Sequence, residues 1–83
     1  MRVLYFAWVR ERVGVPEEEF ALPAAVGTVG ALLDLLEARS AGHAAALADR
    51  SAIRIAVNQD FATPETAVAP HDEVAIFPPV TGG

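Results

Sequence analysis

Thr28-Val29-Gly30-Ala31-Leu32-Leu33-Asp34-Leu35-Leu36 has the spacing of an amphipathic helix, and the architecture follows from it. Val29, Leu32, Leu33 and Leu36 fall at i, i+3, i+4 and i+7, so a helix would gather them into one apolar stripe. Thr28 stands where an N-cap oxygen is needed for the first free backbone N–H groups. Arg39 is expected in the last turn and Gly42 just past the end, where a cation and a glycine both suit a helix C-terminus. The alanine-rich run His43 to Asp49 follows as a second short helix.

Outward from this helix the periodicity changes from helical to alternating. Arg2 to Val9 is rich in aromatic and β-branched residues and reads as a strand. Gly14-Val15-Pro16 signals a turn, and Glu17 to Leu22 reads as a second strand with Phe20 and Leu22 on one face. On the other side, Ile53 to Val57 alternates as a strand and Asn58-Gln59-Asp60 is a polar turn. Phe61 to Val68 is interrupted by Pro64 and has room for a short strand. After the turn Pro70-His71-Asp72, Glu73 to Phe77 forms the last strand. Pro78-Pro79 ends it, because proline has no N–H for a sheet ladder. A hairpin, a crossing helix and two or three further strands predict an α+β chain of the β-grasp kind: a mixed sheet with one main helix packed on one face. Residues 1–83 are expected to form a single domain with a flexible C-terminal tail, 78–83.

Side chains alternate across a strand, which sorts them onto two faces. Val3, Tyr5, Ala7 and Val9, with Ile53, Ile55, Val57, Val74 and Ile76, are expected beneath the helix. The opposite face then carries Leu4, Phe6, Trp8, Ala75 and Phe77. Those positions would be polar if they met only water. Either loops fold over them, or they form a protein interface. Phe61, close to a loop, fits either reading.

Composition narrows the function. The chain has 83 residues, 53% of them hydrophobic, and a formal net charge of −5. An acidic domain is repelled by phosphate backbones, which argues against nucleic-acid binding. No apolar run approaches the roughly 18 residues of a membrane span, and Met1 to Ala7 is too short for a signal peptide. The expected location is the cytoplasm. Without cysteine there is no disulfide, thiolate metal site or cysteine nucleophile.

The chain ends Phe77-Pro78-Pro79-Val80-Thr81-Gly82-Gly83. With glycine at about 7% of residues, a terminal pair arises by chance in roughly one chain in 200. Its setting sharpens the signal. Two prolines stiffen the departure from the sheet, and the four residues after them span up to about 13 Å. The last two have no Cβ to crowd an attacked carbonyl. This shape suits a carboxylate delivered into a narrow active site on another protein. Adenylation would turn that poor electrophile into a mixed anhydride, and a sulfur donor could then leave a thiocarboxylate. Catalysis would lie with the partners.

Three stretches carry a family resemblance: Val3-Leu4-Tyr5-Phe6-Ala7 with Val9-Arg10-Glu11; Val57-Asn58-Gln59; and Asp72 through Phe77-Pro78-Pro79-Val80-Thr81-Gly82-Gly83. Through them the chain resembles the small subunits of molybdopterin synthase, ubiquitin-like sulfur carriers. The resemblance implies a β-grasp fold and activation of Gly83 by an adenylating enzyme using ATP and magnesium. AMP would be attached only transiently, and no cofactor or metal would be held stably. It implies a persulfide sulfur donor and insertion of the thiocarboxylate into a large subunit, within a heterotetramer. There the sulfur would pass to precursor Z, two transfers making the dithiolene. Phe6, Phe61 and Phe77 align with apolar positions facing the large subunit, and Pro78, Pro79, Val80 and Thr81 would follow them into it. Gly82 and Gly83 form the reacting end. Trp8 stands where the family more often has a polar residue. Related possibilities are sulfur transfer to a thiamine thiazole or a tRNA base, and conjugation as a ubiquitin-like modifier.

Other residues read as structural. Glu17-Glu18-Glu19 is expected to be a solvated run, His43 and His71 lack the neighbours of a metal site, and Asn58-Gln59 reads as turn chemistry. Arg10 and Glu11 would form at most a surface pair, worth about 0–1 kcal/mol.

Overall fold

The computed structural model describes residues 1–79. Five strands form one mixed sheet: β1 (Arg2–Tyr5), β2 (Glu17–Glu19), β3 (Arg54–Val57), β4 (Asp60–Phe61) and β5 (Glu73–Phe77), in the order β2-β1-β5-β3-β4. β1 and β5 run parallel at the centre, with Val3 beside Val74 and Tyr5 beside Ile76. The flanking pairs are antiparallel. Three helices, α1 (Ala7–Val13), α2 (Val29–Glu37) and α3 (Ala41–Leu47), accompany the sheet, followed by a 3-10 turn at Arg50–Ala52.

Thr28 caps α2 as expected, its Oγ1 accepting the Ala31 N–H at 3.2 Å. Val29, Leu32, Leu33 and Leu36 are all buried against Val3, Tyr5, Ile53, Ile55, Val74 and Ile76. Each such side chain contributes about 1.5–3 kcal/mol by leaving water. The expected covered face is thus correct for β1, β3 and β5, with Val57 half-buried at its edge. β2 is shorter than expected, and Phe20 and Leu22 continue past it, half-buried against the core.

Two expectations fail at the C-terminus of α2. The helix ends at Glu37, so Arg39 lies beyond its last turn and Gly42 belongs to α3. Gly42 has a packing role instead. A Cβ there would collide with the Arg12 carbonyl oxygen and lie 3.2 Å from that of Val13. The missing side chain lets α3 approach the end of α1.

The larger correction is α1. The first strand stops at Tyr5, not Val9. Phe6 is still extended (φ −127°, ψ 153°). Ala7 then takes a left-handed φ of 52°, which turns the chain out of the sheet and into the helix. Val9 is buried from this helix rather than from a strand, and Ala7 is exposed rather than covered. Trp8 leaves the open sheet face; it is half-buried against the core, with the Arg12 guanidinium 4.5 Å above its ring. Aromatic and β-branched content favoured a strand here, but tertiary context overrode it. The overlooked signal is Val9 and Val13 at i, i+4, with Gly14 closing the helix at φ 100° and donating to the Arg10 carbonyl at 2.8 Å.

Candidate functional site

The helices leave the other side of the sheet open, and β5 runs through its middle. Val74 and Ile76 point into the core, so Glu73, Ala75 and Phe77 occupy the open side. The register places Leu4 and Ala56 beside Ala75, Arg54 beside Phe77, and Phe61 beside Ala56. Phe6, one step past Tyr5, keeps the alternation of β1 and donates its N–H to the Ile76 carbonyl at 3.1 Å, which brings it to the level of Phe77.

These positions divide the open side in two. At the β5 C-terminal end lie Phe6, Phe61 and Phe77, followed by Pro78 and Pro79. Phe61 is 82% exposed and Phe6 45%, and the rings of Phe61 and Phe77 are tilted against each other with centroids 6.1 Å apart. Phe77, Pro78 and Pro79 are half-buried. No described loop hides Phe6 or Phe61, so exposed aromatic area gathers where the chain leaves the sheet. At the other end Arg2 bonds Glu17 at 2.6 Å and approaches Glu73 at 3.4 Å. The hydrogen bond that the Arg2 guanidinium donates to the Glu17 carboxylate holds the Arg2 pKa above the usual arginine value.

The structure brings together five of the expected interface residues: Phe6, Phe61, Phe77, Pro78 and Pro79. Val80, Thr81, Gly82 and Gly83 lie outside the described residues. What the structure supplies is the root of the tail. A central strand hydrogen-bonded on both edges is a firm mount for a reacting end, and the prolines that follow have restricted φ.

Turns around the sheet hold this mount in place. Asn58 and Gln59 take φ values of 50° and 72°, the two positive values of a type I′ hairpin turn joining β3 to β4. The Asn58 side chain donates to Asp72 at 2.9 Å and accepts the Glu73 N–H at 3.0 Å, tying the turn to the start of β5. That bond and the Ala69 N–H hold the Asp72 carboxyl below its usual pKa.

The glutamate run is not uniformly solvated. Glu18 turns inward, where its Oε2 accepts the Tyr5 hydroxyl and His43 Nε2, each at 2.7 Å. His43 is buried on the inner side of α3, with Nδ1 2.7 Å from the Ser40 Oγ. Burial pushes the Glu18 carboxyl up, but the hydrogen bonds from His43 and Tyr5 outweigh it, and the net shift is downward. Burial and the Glu18 contact push the Tyr5 phenol far up. This cluster fastens β1 and β2 to α3. Sequence spacing gave no sign of it, because Glu18 and His43 are 25 residues apart.

A depression of about 540 Å³ opens at the Met1 end between Arg2, Glu19, Phe20, Pro70 and Glu73. Its carboxylates disfavour phosphate, and it lies away from Pro78. No helix among the described residues is long and apolar enough to cross a membrane.

Comparison with known proteins agrees with this geometry. Residues 3–83 match the model of the ThiS family. The molybdopterin synthase sulfur carrier subunit of Escherichia coli (strain K12) is 45% identical over 83 residues, covering 100% of this chain and 99% of that protein. Its counterpart in Haemophilus influenzae is 38% identical over 87 residues, with 100% and 99% covered. The crystal structure of SAMP1, small archaeal modifier protein 1 of Haloferax volcanii, superposes with a TM-score of 0.74 at 32% identity, covering 100% of this chain and 98% of that one.

Proposed function

Since the chain belongs to the ThiS family, we propose that it is the sulfur carrier subunit of molybdopterin synthase, with the Gly83 carboxylate as its working group. The observation that carries this reading is the aromatic cluster of exposed Phe6 and Phe61 with half-buried Phe77 at the root of a tail ending Gly82-Gly83. The full-length match to curated carriers supports it.

An adenylating enzyme, with ATP and magnesium, attaches AMP to the Gly83 carboxylate and releases pyrophosphate. The terminal sulfur of a persulfide donor attacks the acyl carbon, and AMP leaves. A thiol then reduces the acyl disulfide and frees the thiocarboxylate. The large subunit takes up Val80 to Gly83, and the sulfur passes to precursor Z. The carrier supplies recognition and reach, and the large subunit supplies the catalytic groups. One thiocarboxylate delivers one sulfur, so a dithiolene needs two deliveries, in keeping with a heterotetramer of two carriers and two large subunits.

A second reading, conjugation to other proteins as a modifier, draws on the likeness to SAMP1. Reconstitution separates the two. The chain, large subunit, activating enzyme, sulfur donor and precursor Z should yield the dithiolene product, and a Gly83 deletion should abolish it with the fold intact. Product formation without Gly83 would refute the carrier reading. Gly83-linked conjugates on many proteins in extracts, without dithiolene product, would favour the modifier.

A further inference from the structure

The six basic side chains of this protein are all arginines: Arg2, Arg10, Arg12, Arg39, Arg50 and Arg54. The 83 residues contain no lysine and no cysteine. We propose that the chain is a donor-only carrier: its activated Gly83 carbonyl is not captured by its own chain or by a second copy, because no free amine or thiol is presented to it. This rests on the reading of Gly83 as an acyl donor.

An acyl adenylate is open to any competent nucleophile. Capture by an amine forms an amide bond to the Gly83 carbonyl carbon, expels AMP and releases a proton from the nitrogen. Lysine amines and cysteine thiolates are the protein groups best suited to this. Guanidinium groups stay protonated and do not compete. A carrier with surface lysines, at high concentration beside its activating enzyme, risks acylating itself. This chain keeps positive charge on its surface without that risk.

The α-amine of Met1 is the remaining amine. It donates to the Pro70 carbonyl at 2.6 Å and the Phe20 carbonyl at 3.1 Å, which anchors its nitrogen at that end of the sheet. The sheet also keeps it away from the tail. β1 and β5 are parallel and in register, and Arg2 donates its N–H to the Asp72 carbonyl. Met1 therefore lies at one end of the sheet and Phe77 at the other, about 17 Å apart for five residues of strand. Cyclisation would require the chain to reverse at Pro78-Pro79 and recross that span.

The hydroxyls are weaker nucleophiles. Tyr5 is buried and donates to Glu18. Ser40 has the most suggestive surroundings, with His43 Nδ1 at 2.7 Å and Glu18 beyond it. Its oxygen, however, also accepts the His43 N–H at 3.1 Å as the cap of α3. An acyl group on the exposed imidazole of His71 would hydrolyse back to the free acid. Capture is left to the partner's nucleophile. Even in the modifier reading, one copy could be attached to a target but could not be extended through lysine.

The test compares the wild-type chain with Ala45→Lys, which places one amine on the exposed side of α3. Each is incubated at high concentration with an adenylating enzyme, ATP and magnesium, without a sulfur donor. Pyrophosphate release reports activation, and intact mass and denaturing electrophoresis report capture. Wild type is expected to release pyrophosphate and remain a linear monomer, while Ala45→Lys accumulates a covalent dimer. A dimer or circular product from wild type would overturn the proposal, with Ser40→Ala testing whether an ester is responsible. A variant that releases pyrophosphate normally yet stays monomeric would also overturn it, since the missing lysine would then not be the protection. No pyrophosphate release with either chain would count against the carrier reading itself. The same comparison on Gly83 thioesters made by intein cleavage then decides the proposal independently.

Discussion

Phe61 and Phe77 come from different strands, yet their rings lie 6.1 Å apart on the open side of the sheet. One ring is almost fully in water and the other is half-buried at the start of the tail. Such a pair is prepared to be covered. Phe77→Ala is expected to weaken binding to the large subunit by about 1–3 kcal/mol, as for an aromatic hot spot. Phe61→Ala should also weaken binding while shifting stability by about 0.5 kcal/mol or less, because its ring gains little from folding. Titration calorimetry and denaturant unfolding read the two effects separately. Unchanged affinity in both variants would remove this pair from the interface.

Glu18 gives stability a defined pH dependence. Its pKa in the folded state is lowered, so its contribution is complete above the unfolded glutamate value of about 4.3 and is lost as pH falls through the folded value. Urea midpoints should decline on acidification in wild type and less steeply in Glu18→Gln. At neutral pH Glu18→Ala should cost about 1–3 kcal/mol, because Tyr5 and His43 lose their shared acceptor. Equal pH slopes for wild type and Glu18→Gln would contradict this assignment.

Gly42 and Gly27 form a matched pair of substitutions. A Cβ on Gly42 strikes the Arg12 carbonyl, whereas one on Gly27 meets nothing within 4 Å. Gly42→Ala is therefore expected to destabilise by about 1–3 kcal/mol through overpacking. Gly27→Ala should stay within about 0.5 kcal/mol of wild type. Chemical denaturation of both checks this, and equal midpoints would mean that α1 and α3 can separate without loss.

What was legible in the sequence follows physical lines. The stripe from Val29 to Leu36 and the alternation in β3 and β5 are local patterns, and they gave the helix, the sheet and its covered face. The open aromatic face followed by subtraction, through Phe6 and Phe77. The first element did not follow, because one left-handed residue, Ala7, converts an apparent strand into a helix. Propensity contains no warning of that, although Val9, Val13 and Gly14 did. The Glu18–His43 contact and the close approach at Gly42 were invisible for another reason. Each depends on residues brought together only by the finished fold.

In the proposed function Gly83 is a chemical reagent. Its most direct test is the intact mass of the chain after incubation with an adenylating enzyme, ATP, magnesium and a persulfide donor with thiol. One oxygen is expected to be exchanged for sulfur, located at Gly83 by fragmentation and absent when Gly83 is deleted. An unchanged mass, with an enzyme shown to activate another carrier under the same conditions, would contradict it.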